Sequence, residues 1–182
     1  MLDGNFILNA IKNPKVTGTL LPSQKFLIKK LTAPIRKDEC KYILELGAGN
    51  GCVTKEILKK INKNCILLSF EINEKLTRKY RFRKKNLIVI NDDVENMQKY
   101  LKKYKIKKID CIISSLPLAQ IKKKKVLKIL LNVNKYLKKE GLYVQYQYSL
   151  MSLKKLKSVF KKVDIKFTLL NLPPAFIYIC KK

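Results

Sequence analysis

Apolar positions along the chain follow two periods. Near-continuous apolar runs at 42–46, 65–70, 87–90, 109–113 and 142–148 have the length of buried strands. Between them, apolar residues recur every three or four positions. Val53, Ile57, Leu58 and Ile61 form one such face, as do Val126, Ile129, Leu130, Val133 and Leu137, and then Leu153, Leu156 and Phe160. These predict helices, the longest ending near residue 139 with Gly141 as its stop. Shorter helices are expected over 74–83 and around Met97 and Leu101. Two strands, about 163–168 and 175–180, are separated only by Asn171-Leu172-Pro173-Pro174, which reads as a hairpin. Ahead of the first strand, Ser23 is placed to cap a helix over 24–32 with Leu27, Ile28 and Leu31 inward. Further upstream, Phe6-Ile7-Leu8 and Ala10-Ile11 form a short apolar stretch ended by Pro14, with a loop at 13–23 behind it. Alternating strands and helices with a terminal hairpin give an α/β fold, a mainly parallel sheet covered by helices on both faces.

The first strand, Tyr42 to Leu46, runs into Gly47-Ala48-Gly49-Asn50-Gly51 and then a helix. A glycine turn between strand and helix lets a ligand approach the backbone, and predicts amide N–H groups pointing at it. In such sheets the ligand lies across the carboxyl ends of the strands. Three of those ends carry polar candidates. Glu71 follows the second strand about 20 residues past the loop, where an acid accepts from a ribose diol. Asp93 follows the third and is placed to accept from an exocyclic amine; Ser114 and Ser115 close the fourth. Glu45 lies inside the first strand, where an unpaired carboxylate would cost several kcal/mol. It needs donors or a cation, and the ammonium of a bound methionine moiety would serve. That favours S-adenosylmethionine over a dinucleotide.

Composition narrows the class. A chain of 182 residues suffices for one domain with a proper core. No apolar run reaches the roughly 18–20 residues of a membrane span, and Asp3 and Asn5 interrupt any leader-like core. A cytosolic protein is expected. There is no histidine, and none of the five cysteines is spaced C-x-x-C, which argues against zinc and against the usual triads. Cys65, Cys111 and Cys180 sit in apolar runs as buried thiols. Lys and Arg total 41 against 13 acids, a net charge of +28, and Lys outnumbers Arg 37 to 4. Such a field draws a protein to nucleic acid or to anionic lipid.

Glu45-Leu46-Gly47-Ala48-Gly49-Asn50-Gly51 resembles the first motif of class I S-adenosylmethionine-dependent methyltransferases. The resemblance implies a Rossmann-like seven-stranded sheet with a final antiparallel strand. Further segments resemble the bacterial phospholipid N-methyltransferases: Asn13-Pro14-Lys15, Thr17-Gly18, Leu21-Pro22-Ser23, Ser115-Leu116-Pro117-Leu118, Val144-Gln145-Tyr146 with Tyr148, and Asn171-Leu172-Pro173-Pro174-Ala175. By that resemblance Glu45, Gly47, Ala48, Gly49, Asn50 and Gly51 line the methionine part. Glu71 and Ile72 meet the ribose side, Asp93 and Val94 the adenine, and Ser114 and Ser115 the transferring methyl. Ser23 and Gln24 close over the cofactor. Gln24 stands where that family usually has a small residue, and Ser114-Ser115 where it has Ser-Gly. Residues 1–34 are expected to form a helical lid segment and 35–182 the cofactor-binding domain, as one compact unit.

The acceptor implied is an amine-bearing phospholipid of the phosphatidylethanolamine type, methylated by a peripheral protein on the anionic inner membrane surface. Ser114, Ser115, Leu116, Pro117, Tyr146 and Tyr148 are the substrate-side candidates, the two tyrosines sharing one strand face for cation–π contact with methylated amines. Lys122-Lys123-Lys124-Lys125 is positioned to meet lipid phosphates. The alternative is an rRNA adenine N6-methyltransferase, which the charge suits. Those enzymes resemble the chain at the first motif, around Asp93 and at Ser23-Gln24-Lys25-Phe26-Leu27. They carry an amide where this chain has Ser114 or Ser115, and an aromatic where it has Leu118.

Overall fold

A computed structural model describes residues 22–80, 82–169 and 173–182. The apolar stretch at 6–11, the Pro14 segment and Asn171-Leu172 lie outside the described residues. Among the described residues seven strands form one sheet: β1 (Tyr42–Leu46), β2 (Ile66–Phe70), β3 (Leu87–Ile90), β4 (Ile109–Ser114), β5 (Leu137–Gln147), β6 (Lys162–Thr168) and β7 (Ala175–Lys181). Their order is β3-β2-β1-β4-β5-β7-β6. The first five pair in parallel, and β7 runs antiparallel to both its neighbours. Around the sheet lie α1 (Pro22–Thr32), α2 (Cys52–Lys60), α3 (Glu74–Thr77), α4 (Met97–Lys103), α5 (Lys123–Tyr136) and α6 (Leu153–Val159).

Strand alternation sorts the apolar residues into two cores. Leu44 and Leu46 join Leu68, Ile112, Ile129 and Val133 on one face. Ile43 joins Leu67, Ile113, Ile57 and Leu31 on the other. Helix α2 leaves β1 over the second face and α5 leaves β4 over the first. A crevice therefore opens between β1 and β4, at the carboxyl ends of the strands.

Three expected boundaries move. Helix α5 stops at Tyr136, because Leu137 turns extended and pairs with Ile109. Gly141 is not a helix stop. It lies inside β5, where a Cβ would sit 2.9 Å from the Asp110 carbonyl oxygen and 2.9 Å from Leu137 Cδ1. Close strand approach at the register shift opposite Ile109 and Cys111 requires the glycine. The helix expected over 74–83 lasts four residues, after which Tyr80 packs against the glycine loop. Helix α1 begins at Pro22, so Ser23 lies within it rather than capping it. All of Cys40, Cys65, Cys111 and Cys180 are buried free thiols.

Candidate active site

The loop after β1 is shaped by its own backbone. Gly47, Gly49 and Gly51 have φ of 79°, 57° and 81°. Most of its amides are bonded within the protein rather than left for a ligand as the motif suggested. Those of Gly47 and Ala48 both donate to the Phe70 carbonyl (2.9 Å each), and that of Gly51 to the Ala48 carbonyl (2.9 Å). Gly49 N–H donates to Glu71 Oε2 (2.7 Å) and Cys52 N–H to Asn50 Oδ1 (3.2 Å). This loop is folded onto the end of β2 instead of forming a phosphate cradle. Tyr80 completes it, donating its hydroxyl to the Gly49 carbonyl (3.0 Å) with its ring stacked on Phe82.

Glu45 lies opposite Ser69 in register, on the strand face of the second core. It is 0% exposed, and Oε2 accepts from Thr54 Oγ1 and Ser69 Oγ, both at 2.7 Å. Oε1 is buried without a partner among the described residues, so the two hydroxyls satisfy only half of the carboxylate. Desolvation outweighs them and lifts its pKa to about 7.

A cavity of about 950 Å³ opens in front of the loop. Among the expected site residues, Gln24, Gly47, Ala48, Gly49, Asn50, Glu71, Ile72, Asp93, Val94, Ser115, Leu116, Pro117, Tyr146 and Tyr148 line it. Glu45, Gly51 and Ser114 lie behind this wall, and nothing is described of the Ser23 side chain. Glu71 accepts from Gly49 N–H on one oxygen and from Asn73 N–H (2.9 Å) on the other. Each oxygen keeps a second lone pair for a diol. Asp93 accepts from Glu95 N–H (2.9 Å) and pairs with Lys125. Burial acts to raise its pKa, but the Glu95 amide and Lys125 outweigh it and hold it low. Lys125 also reaches Glu95 (3.0 Å), so this member of the lysine run is engaged at the cavity wall.

On the substrate side, β5 fixes the segment after β4. Gln145 and Gln147 both donate to the Leu116 carbonyl (3.1 and 2.8 Å). Ser115 Oγ is shielded from solvent without a partner among the described residues. Tyr146 and Tyr148 meet edge-on, centroids 5.7 Å apart, on the face their strand spacing predicts. Leu118 is only 2% exposed and packs into the first core. It is not where an aromatic would stack on a target base.

Several wall residues were not anticipated. Leu27, Ile28 and Leu31 of α1 read as core and do bury, yet they also line the cavity beside Tyr146. A helical period reports an inward face without telling a core from a cavity. Asp92, another wall residue, is held by Tyr100 and Asn96.

Comparison with known proteins decides the class. A methyltransferase-domain family matches residues 37–172, three quarters of the chain. The chain belongs to this family. This methyltransferase is 26% identical over 180 residues to the ornithine lipid N-methyltransferase of Singulisphaera acidiphila, covering 97% of the chain and 94% of that protein. It is 32% identical over 87 residues to ribosomal RNA small subunit methyltransferase A of Caldanaerobacter subterraneus, covering 46% of the chain and 31% of that protein. The fold matches the 1,6-didemethyltoxoflavin-N1-methyltransferase of Burkholderia thailandensis, solved with S-adenosylhomocysteine. The TM-score is 0.69 at 11% identity, over 98% of this chain and 86% of that one. The architecture is that of the class I Rossmann-like methyltransferases, whose cofactor is S-adenosylmethionine. The site suits that cofactor: the loop spends most of its amides within the protein, as a ligand without phosphates permits, while Glu71 and Asp93 offer acceptors to a nucleoside.

Proposed function

We propose that this methyltransferase acts on the amine of an amine-bearing lipid head group, of the phosphatidylethanolamine or ornithine-lipid type. The observation that carries the reading is the likeness to a lipid N-methyltransferase along nearly the whole of both chains. The acceptor wall is consistent with it: Tyr146 and Tyr148 offer ring faces to a methylated ammonium, and Ser115 Oγ offers a hydrogen bond. S-adenosylmethionine, when bound, supplies a methyl on a sulfonium centre. The chain's part is to hold a neutral amine in line with it, at roughly 3–3.5 Å.

Burial pushes the Tyr146 phenol upward, so it stays protonated, and Asp93 is held low. Neither takes the head-group proton near neutral pH. That proton leaves to water, and the rate should rise about tenfold per pH unit below the acceptor amine's pKa. A pH–rate profile that is flat over this range would contradict the scheme.

Transfer to rRNA adenine is the second reading, supported by the shorter match to ribosomal RNA methyltransferase A. Buried Leu118 counts against it. Incubation with methyl-labelled cofactor and either total lipid or ribosomal RNA separates the two. Label in the lipid amine is expected, and label in RNA alone would overturn the proposal.

A further inference from the structure

Large apolar side chains in contact with water are unevenly placed. Nine are exposed among the described residues. Leu127, Leu131 and Ile165 lie along α5 and mid-β6. The other six, Phe26, Ile72, Leu150, Met151, Phe167 and Leu169, lie at the end of the sheet where the cavity opens. Strand direction requires this. Strands β5 and β6 are both antiparallel to β7, so Met151 and Leu169 leave the sheet at the same end. Gln147, Phe176 and Phe167 neighbour one another across the three strands, with the Phe167 and Phe176 rings 4.9 Å apart. Met151 and Leu169 are the most exposed of the set, at 78% and 74%.

Charge at this end is one-sided. Lys25, Lys29, Lys122 and Lys154 are exposed there. Among the described residues the nearby acids are engaged: Asp93 and Glu95 by Lys125 and Lys128, Asp92 by Tyr100 and Asn96, Glu71 by backbone amides, and Glu74 by Arg78. Flexible apolar side chains ringed by lysines suit the interface of an anionic bilayer, where apolar burial and phosphate attraction add. Four of the six are aliphatic, which suits acyl-chain contact over the base stacking on which sequence-tolerant RNA binding relies.

We propose that this end of the molecule docks on an anionic phospholipid bilayer, with Leu150, Met151, Phe167 and Leu169 entering the interface. The cavity then opens directly onto the head-group layer. The inference rests on the lipid-acceptor reading and names the face through which lipid is reached.

The test compares the parent protein with Met151→Asp/Leu169→Asp and with Leu127→Asp/Leu131→Asp, which alters exposed apolar residues elsewhere. Vesicles of phosphatidylglycerol and phosphatidylethanolamine are sedimented, and methyl transfer is measured to vesicle lipid and to a monomeric short-chain phosphatidylethanolamine. The first variant should bind vesicles at least about tenfold more weakly and lose vesicle-lipid transfer in proportion, given two apolar insertions lost. It should keep transfer to the monomeric lipid, and the second variant should behave as the parent. Equal vesicle binding by parent and first variant overturns the docking face, including the case in which that variant only loses self-association. If binding falls as expected while the parent labels RNA and no lipid, the face stands and the lipid-acceptor reading fails.

Discussion

Gly49 and Gly51 share a loop and a left-handed backbone but differ in their surroundings. A Cβ on Gly51 would meet Phe82 Cζ and Tyr80 Cε1 at 2.9 Å, whereas one on Gly49 meets nothing within 4 Å. Gly51→Ala should therefore destabilise the fold by about 2–4 kcal/mol, read by urea unfolding, through strain plus overpacking. Gly49→Ala should cost only about 1 kcal/mol of stability yet weaken cofactor binding, since its open side faces the cavity. Tyr80→Phe removes the hydroxyl that holds the Gly49 carbonyl. Calorimetry should show cofactor affinity falling about fivefold, the worth of one hydrogen bond near 1 kcal/mol. Glu45 titrates with folding. Its pKa is raised from 4.5 to about 7, so the folded form holds the proton more tightly than the unfolded chain. The stability this gives is full below about pH 4.5 and is lost as pH rises through about 7, a change on the order of 3 kcal/mol. Glu45→Gln should remove that slope from unfolding free energies measured across the window.

Strand β5 acts on the site through the segment after β4. Its two buried amides, Gln145 and Gln147, converge on the Leu116 carbonyl and set the path of Ser115-Leu116-Pro117 along the cavity wall. Gln147→Ala should lower kcat severalfold while leaving cofactor affinity within about twofold, because one of two hydrogen bonds is lost on the acceptor side alone. Element positions were legible where period and pairing agree, as in β1, β2 and α2. They moved where a partner distant in sequence intervened: Ile109 drew Leu137 out of α5, and the glycine loop drew Tyr80 out of a longer α3. Neither partner lies within the window that a helical period samples.

Across the whole molecule, a net charge of +28 acts at longer range than any single contact. Retention on anionic vesicles should fall more than about tenfold between about 50 and 500 mM salt as screening shortens the field. Transfer to a monomeric zwitterionic lipid should change by less than about twofold over the same range, because its net charge is zero. Among the described residues no helix is long and apolar enough to cross a membrane. The apolar rim at the cavity end is thus a surface matter, assembled from α1, the turn after β2 and the ends of β5 and β6.

Periodicity sufficed to place seven strands, the antiparallel hairpin at the end and the glycine loop, because each depends on residues within about ten positions of one another. Strand-end position marked Glu71 and Asp93, since a parallel sheet brings those ends together whatever the strand order. The tertiary structure decided which of these groups line the cavity. Glu45 reads as an acid in need of donors, and the fold brings Thr54 and Ser69 to one of its oxygens while the other stays without a partner among the described residues. The loop's amides read as a cradle, and the Phe70 carbonyl took two of them. Hydrogen-bonding capacity belongs to a residue, but its use belongs to the neighbours that the fold delivers.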